Sequence, residues 1–275
     1  MVQITEAKKE FNNILKQSNI SDTENNVAQL FLHVLNCSRV EYLTKVTITE
    51  DEYKQIKRLV IKRSKHEPLQ YIVGEVEFCG NKIKVNKNVL IPRNETEQLC
   101  DLVSKTANDK KVLDLCCGSG CIGLGIKANS SADVTLADVS LKALNVAKNN
   151  AKLNNLNVTF VKSDLFKNVK GKFDIIVSNP PYIKTKDLET LQPEVKNEPM
   201  LALDGETDGL SFYRQIINDA PRFLNKSGEI YFEYGIGQAK AIEKLLKKNF
   251  ECIRIIKDYY NKDRFIYAKL KDIVC

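Results

Sequence analysis

Val112-Leu113-Asp114-Leu115-Cys116-Cys117-Gly118-Ser119-Gly120-Cys121-Ile122-Gly123 decides the fold. An aliphatic run with one carboxylate inside it breaks at two glycines and resumes as the start of a helix. Gly118 and Gly120 lack a Cβ, so the backbone can turn sharply there and let a ligand approach closely. Strand, tight turn and helix in that order open a doubly wound α/β sheet, whose ligands lie beyond the carboxyl ends of the strands. The pattern continues outward. Residues 134–137, 158–161, 173–177 and 229–232 read as strands, and 141–153, 211–223 and 238–248 as helices. Such alternation predicts an α/β class with a mostly parallel sheet. Two further strands, 252–256 and 264–270, joined through Tyr259-Tyr260-Asn261-Lys262-Asp263, predict an antiparallel hairpin at the sheet edge.

Upstream the texture is different. Ser21 or Asp22 can cap a helix carrying Val27, Leu30, Phe31, Val34 and Leu35 on one face. Thr49-Glu50-Asp51-Glu52 opens another, with Tyr53, Ile56, Leu59 and Val60 as its apolar face. Residues 1–72 therefore read as a small helical domain for partner recognition or lid duty, without a catalytic constellation. Residues 73–92 read as a β-hairpin linker around Gly80-Asn81, and 93–275 as the α/β domain, entered through Val89-Leu90-Ile91-Pro92-Arg93 and a helix from Glu95.

A chain of 275 residues accommodates this division. No apolar run approaches the roughly 18 residues of a membrane span. The charged, amphipathic start is unlike a secretory signal, so the expected location is cytoplasmic. Eight cysteines without paired C-x-x-C knuckles, and His33 and His66 as the only histidines, predict reduced, mostly buried thiols and no metal site. The net charge of +7, from 42 Lys+Arg against 35 Asp+Glu, fits a negatively charged partner or an ordinary lysine-rich surface, and excludes neither.

Two readings compete for the glycine turn. Gly118-x-Gly120-x-x-Gly123 satisfies a dinucleotide fingerprint, with Asp138 twenty residues beyond Gly118 to accept both ribose hydroxyls. S-adenosylmethionine suits the surroundings better. Asp114, inside the first strand, can hold a cationic methionine end, whereas an anionic pyrophosphate has little use for it. Ser163-Asp164 at the end of the third strand can accept from an adenine amino group. Asn179-Pro180-Pro181-Tyr182 closes the fourth strand beside the same crevice. The bland alternatives are a buried turn carboxylate for Asp114, and capping or turn roles for Asp138 and Asp164.

Asn179-Pro180-Pro181-Tyr182 is stiff, because proline has no N–H for a sheet ladder and Pro180 biases Asn179 toward an extended backbone. The loop offers a carboxamide, carbonyls free of competing N–H groups, and an aromatic ring. That set fits a planar NH2 group. Turn chemistry alone explains the tetrapeptide equally well.

In combination with further blocks, the chain resembles the peptide chain release factor glutamine methyltransferases, the PrmC/HemK type. The blocks are Glu67-Pro68-Leu69-Gln70-Tyr71-Ile72-Val73-Gly74 with Glu77-Phe78, Leu90-Ile91-Pro92-Arg93-Asn94-Glu95-Thr96-Glu97, and Glu198-Pro199 through Phe212-Tyr213. The resemblance runs from Glu67 to the C-terminus. It implies a Rossmann-like, seven-stranded class I methyltransferase domain behind a helical N-terminal domain. It also implies methylation of the side-chain amide nitrogen of the glutamine in the Gly-Gly-Gln motif of a class I release factor. Carried over, Cys116, Cys117, Gly118, Ser119 and Gly120 form the cofactor turn, Asp138 takes the ribose, Asp164 and Leu165 border the adenine, and Asn179 borders cofactor and substrate. Cys116 stands where the family usually has Gly, and Cys117 where it commonly has Thr. A Cβ at 116 either crowds the cofactor or asks for a backbone with φ below zero. Leu165 replaces an aromatic of some members.

The implied chemistry is orientation. An Asn179 oxygen and the Pro180 carbonyl accept the two amide hydrogens, Pro181 stiffens the loop, and Tyr182 packs on the amide plane and excludes water. No His, Glu or Asp in the loop serves as a base. The first rival is an amino-methyltransferase acting on adenine or cytosine in nucleic acid, whose base amine is also a planar NH2. It lacks a Lys/Arg and aromatic tract for base flipping. The second is a non-catalytic module supported by Cys116 and Cys117. No stable nucleic-acid partner is expected, and the default oligomeric state is a monomer.

Overall fold

The structure is a computed structural model that describes residues 1–272, so Cys275 lies outside the described residues. The chain forms two compact units. One comprises Met1–Glu75 with Gln192–Asn197, and the other Val76–Leu191 with the chain from Glu198 on.

The first unit is helical. A two-residue β1 (Val2–Gln3) pairs antiparallel with β2 (Thr47–Ile48), a strand pair with no periodic sequence signal. Around it pack α1 (Ile4–Gln17), α2 (Thr23–Leu35), α3 (Arg39–Thr44), α4 (Glu50–Ser64) and α5 (Leu69–Val73). Ile4, Ala7, Phe11 and Leu15 recur at helical spacing and are buried with Val27, Leu30, Phe31, Ile56 and Val60. α4 starts where the sequence places it, and Thr49 and Glu52 form a capping box there, the Glu52 carboxylate accepting from Thr49 N–H at 2.7 Å. At α2 the start falls where the sequence places it, but Asp22 lies at φ +48° and caps nothing. Asn26 Nδ2 instead donates back to the Asp22 carbonyl at 2.8 Å.

The second unit begins at Val76, within β3 (Glu75–Phe78), which forms a hairpin with β4 (Asn81–Lys84) and is followed by α6 (Asn94–Ser104). Then come β5 (Lys111–Leu115), α7 (Cys121–Ala128), β6 (Asp133–Asp138), α8 (Leu141–Leu153), β7 (Thr159–Lys162) and β8 (Phe173–Ser178). After α9 (Pro193–Lys196), which belongs to the first unit, follow α10 (Ser211–Phe223), β9 (Leu224–Glu233), α11 (Ala239–Leu246), β10 (Phe250–Lys257) and β11 (Asp263–Leu270). The sheet has seven strands in the order β10-β11-β9-β8-β5-β6-β7. The pairs from β9 to β7 are parallel, and β10 and β11 form the expected antiparallel edge hairpin. The chain runs from β5 outward to β7 and restarts at β8 on the other side of β5. That reversal marks the crevice where open α/β sheets bind ligands.

The glycine at 123 fixes how α7 meets the sheet. A Cβ there would lie 2.1 Å from Leu136 Cδ2 and 3.0 Å from Asp114 Oδ2, so only glycine lets the helix start rest on β6. Asn150 of α8 is fully buried and ties the hairpin to the turn, donating to the Lys84 carbonyl at 3.0 Å and the Ser119 carbonyl at 2.9 Å. β9 begins five residues before the predicted 229 because Phe173 pairs Leu224 while Ile175 pairs Glu229, with the intervening residues bulged out. The thiols are less buried than composition suggests. Among the described residues Cys100, Cys117 and Cys121 are buried, Cys252 is exposed, and the rest are intermediate; all are free.

Candidate active site

A crevice of about 790 Å³ of empty space, counted out to its open mouth, lies beyond the carboxyl ends of the parallel strands in the second unit. Cys116 just beyond β5, Asp138 at the end of β6, Ser163 and Leu165 beyond β7, and Asn179 beyond β8 all line it. The turn after β5 is built from positive φ values: Cys116 +59°, Gly118 +54° and Gly120 +80°. The expectation that a Cβ at 116 needs φ below zero is corrected. Cys116 keeps the left-handed backbone that glycine would adopt, and burial pushes its thiol pKa up. Nothing stands within 4 Å of where a Cβ on Gly118 would be, so the space over the turn is open.

Asp138 is set by two backbone donors: Gly118 N–H to Oδ2 at 2.9 Å and Ser140 N–H to Oδ1 at 2.8 Å. Burial nonetheless raises its pKa. Asp114 is completely buried beneath the turn. Its Oδ2 accepts from Gly123 N–H at 2.9 Å, while Oδ1 has no protein partner. Burial pushes this carboxyl up to about 8. Beyond β7, Ser163 Oγ accepts from Asn168 N–H at 2.9 Å, and Asp164 is exposed and ion-paired with Lys167. Leu165 carries φ +47° and shares the crevice wall with Phe212, an aromatic contributed by α10. Cys117 is buried behind the turn, and Ser119, also buried, faces Asn150 through its carbonyl.

The Asn179-Pro180-Pro181-Tyr182 loop is pinned from both sides. Ser178 Oγ donates to the Leu115 carbonyl at 2.7 Å, locking the ends of β8 and β5 together. Asn179 and Pro181 line the crevice, Pro180 is buried, and Tyr182 is half-buried against the core. The Tyr182 carbonyl accepts from Gln238 Nε2 at 3.0 Å, and Gln238 Oε1 accepts from Gly235 N–H at 2.9 Å. Chain packing here is tight enough to demand glycine. A Cβ on Gly205 would lie 2.7 Å from Tyr182 Cα, and one on Gly209 would lie 2.4 Å from the Tyr182 carbonyl oxygen.

A second set of acids supports this floor. Glu198 is buried and accepts from Arg93 Nη2 at 2.6 Å and from Ile91 N–H at 2.9 Å. The Leu90–Glu97 and Glu198–Pro199 blocks, distant in sequence, thus form one clamp beside the crevice. Glu233, at the end of β9, is buried and accepts from Thr96 Oγ1 at 2.7 Å. Burial raises Glu233 to about 7. Sequence reasoning missed Glu233, Gln238 and Phe212, along with the role of Thr96. The signal for Glu233 was a carboxylate closing an otherwise apolar strand end, the position already read as informative for Asp114 and Asp138.

Comparison with known proteins agrees with this geometry. Residues 94–262 match the family model "Methyltransferase small domain", and 6–74 match "PrmC N-terminal domain". A "Release factor glutamine methyltransferase" of Thermodesulfovibrio yellowstonii is 45% identical over 259 residues, covering 89% of this chain and 92% of that protein. One of the same name from Streptococcus pneumoniae is 39% identical over 230 residues, covering 82% of each. Among solved structures, a methyltransferase of Pyrococcus furiosus superposes with a TM-score of 0.54 at 18% identity, covering 69% of this chain and 89% of that one. A 16S rRNA methyltransferase of T. thermophilus, solved with AdoMet and guanosine, gives 0.52 at 18% identity over 72% of this chain and 50% of its own. At such identities these structures establish the fold alone.

Proposed function

The chain belongs to the release factor glutamine methyltransferase family, and we propose that it transfers a methyl group from S-adenosylmethionine to the glutamine amide nitrogen of the Gly-Gly-Gln motif in a class I release factor. The observation that carries this reading is the crevice-facing Asn179 at the end of β8, beside a glycine turn and a ribose-type acid at the ends of β5 and β6. S-adenosylmethionine fits this crevice. The open space over Gly118 admits a ligand against the backbone, and the unpartnered Asp114 Oδ1 is a buried acceptor suited to a cationic group. A cation nearby would draw the raised Asp114 pKa back down and favour its ionised form.

Asp138 would take the ribose hydroxyls on lone pairs left free by its two backbone donors. Leu165 and Phe212 would flank the adenine, with Asp164 at its polar edge. Cys116, Cys117, Gly118, Ser119 and Gly120 shape the turn itself. Bound there, S-adenosylmethionine supplies an electrophilic methyl on a sulfonium.

A carboxamide nitrogen is a weak nucleophile, because its lone pair is delocalised into the carbonyl, the resonance behind the ~18–20 kcal/mol rotation barrier. The protein's task is therefore orientation. Asn179 Oδ1 and the Pro180 carbonyl accept the two NH2 hydrogens and turn the nitrogen lone pair toward the methyl. Pro181 stiffens the loop, and Tyr182 walls it from water. Preorganised acceptors of this kind work without reorganisation at the moment of reaction.

A three-residue target buries little surface, whereas stable protein recognition buries on the order of 1,200–2,000 Å². The helical unit is assigned that recognition, with the hairpin as the linker to the α/β domain. The test is incubation with labelled S-adenosylmethionine and a release factor, beside a Gln-to-Ala version of the factor. Label on the first and none on the second is expected; equal labelling, or labelling of nucleic acid in place of protein, overturns the reading.

A further inference from the structure

Gln238 stands at the N-cap of α11, where Ser, Thr, Asp or Asn usually turns its side chain onto the helix. The Gln238 side chain makes no such bond. It reaches the reaction loop instead. Nε2 donates to the Tyr182 carbonyl at 3.0 Å and to the Gly209 carbonyl at 3.1 Å, and Oε1 accepts from Gly235 N–H at 2.9 Å. Its own N–H closes the same turn by donating to the Gly235 carbonyl at 3.2 Å. With two carbonyls at one end and an N–H at the other, only one orientation of the carboxamide satisfies all three partners.

These bonds matter to the loop because of its prolines. Pro180 and Pro181 carry no N–H, so the stretch that holds the proposed Pro180 acceptor has no main-chain donor of its own. Its place is set from the two ends. At the first, Ser178 Oγ donates to the Leu115 carbonyl at 2.7 Å; at the second, Gln238 holds the Tyr182 carbonyl. Glycines leave room for the second contact. A Cβ on Gly209 would lie 2.6 Å from Gln238 Nε2, and one on Gly235 would lie 3.0 Å from Tyr182 Cδ2 and 3.1 Å from Gln238 Oε1. Both the ring and the backbone of Tyr182 are therefore seated against the turn that Gln238 closes.

We propose that Gln238 is a positioning residue for methyl transfer: by holding the Tyr182 and Gly209 carbonyls it fixes the far end of the Asn179–Tyr182 loop, and through it the placement of the Pro180 carbonyl and the Asn179 carboxamide against the substrate nitrogen. The inference rests on the amide-methylation reading above and deepens it. Orientation is what this loop supplies, and a displacement of about 1 Å can cost ~10² in rate. A plain turn-closing role differs in one respect. It needs only the Oε1 acceptor toward Gly235, whereas positioning needs the NH2 donors toward Tyr182 and Gly209.

That difference sets the test. Gln238→Glu keeps an oxygen for Gly235 N–H but, once ionised, offers no donor to the two carbonyls. Gln238→Met keeps the length and removes all three side-chain bonds. With the full-length protein and a release factor as substrate, both variants should lose kcat on the order of 10–10²-fold. Calorimetric affinity for S-adenosylmethionine should stay within about twofold, since Gln238 is not among the residues lining the crevice. The 13C carbonyl resonances of Tyr182 and Gly209, which report accepted hydrogen bonds, should move in both variants. Full kcat in either variant overturns the proposal; in Gln238→Glu it would reduce Gln238 to closing its turn. A fall in kcat matched by an equal loss of S-adenosylmethionine affinity also overturns it, because Gln238 would then support the whole domain. If the wild type methylates no release factor, the amide-methylation reading fails, and the two carbonyl resonances alone decide whether Gln238 holds the loop.

Discussion

Cys116 at φ +59° and Leu165 at φ +47° are side chains in a backbone region that favours glycine, and both line the crevice. Conformations of this kind cost of order 1–3 kcal/mol and persist where the surroundings over-determine them. At this scale the residue types of the site were legible in the sequence, because Asp114, Asp138 and Asn179 each interrupt or end an apolar run. Partners supplied by distant segments were not: Gln238 reaches the loop, and Thr96 reaches Glu233, only through tertiary packing. Two predictions belong here. Asn179→Ala should cost about 10²–10³ in kcat, the usual loss for one preorganised hydrogen-bonding group, while calorimetric affinity for S-adenosylmethionine stays near wild type. Glu233 should make stability fall as pH rises through neutrality. Burial raises it from 4.5 to about 7, with Thr96 of α6 bonded to it, with Arg264 of β11 and Glu95 of α6 as the charges acting on it, and with Cys121, Tyr182 and Tyr213 within its field. A folded-state pKa above the unfolded value contributes stability that is full below about 4.5 and lost as pH rises through about 7. The melting-temperature advantage of Glu233→Gln over wild type should therefore grow from pH about 5 to pH about 8.

Elements were the most legible scale. The helices 141–153 and 211–223 match α8 and α10 residue for residue, since each carries an uninterrupted apolar stripe with a clear start. Strands buried on both faces, such as β5 and β8, were recognisable as short aliphatic runs. What escaped was structure without a period: the β1–β2 pair, the bulged start of β9, and the departure of Gln192–Asn197 to the first unit. The loop after β8 is likewise a product of packing, with Gly205, Gly209 and Gln238 pressed against the Tyr182 backbone. Gly209→Ala should move that loop, because its Cβ would meet a backbone oxygen at 2.4 Å from a φ of +75°. A stability loss of about 1–3 kcal/mol by denaturant titration is expected, with a fall in kcat larger than any change in S-adenosylmethionine affinity.

Across the whole molecule, the proposal places chemistry and recognition in different units. Every proposed cofactor and loop residue lies in the second, and the first is organised around an apolar core and buried Arg63, whose guanidinium bonds Asn26 Oδ1 at 2.7 Å and Glu194 Oε1 at 2.8 Å. Arg63→Met should cost about 1.5–3 kcal/mol, the range for hydrogen bonds to charged groups, by strapping α9 less firmly to its own unit. Kinetically it should raise KM for the release factor and leave S-adenosylmethionine affinity unchanged. No helix among the described residues is long and apolar enough to cross a membrane. The central claim is that one amide nitrogen of one glutamine receives the methyl group. Mass spectrometry of a class I release factor after incubation with this protein and S-adenosylmethionine reads that atom most directly. The account predicts a Gly-Gly-Gln peptide heavier by a single CH2 on the glutamine side chain. An unmodified peptide, or the added mass on any other residue, would contradict it.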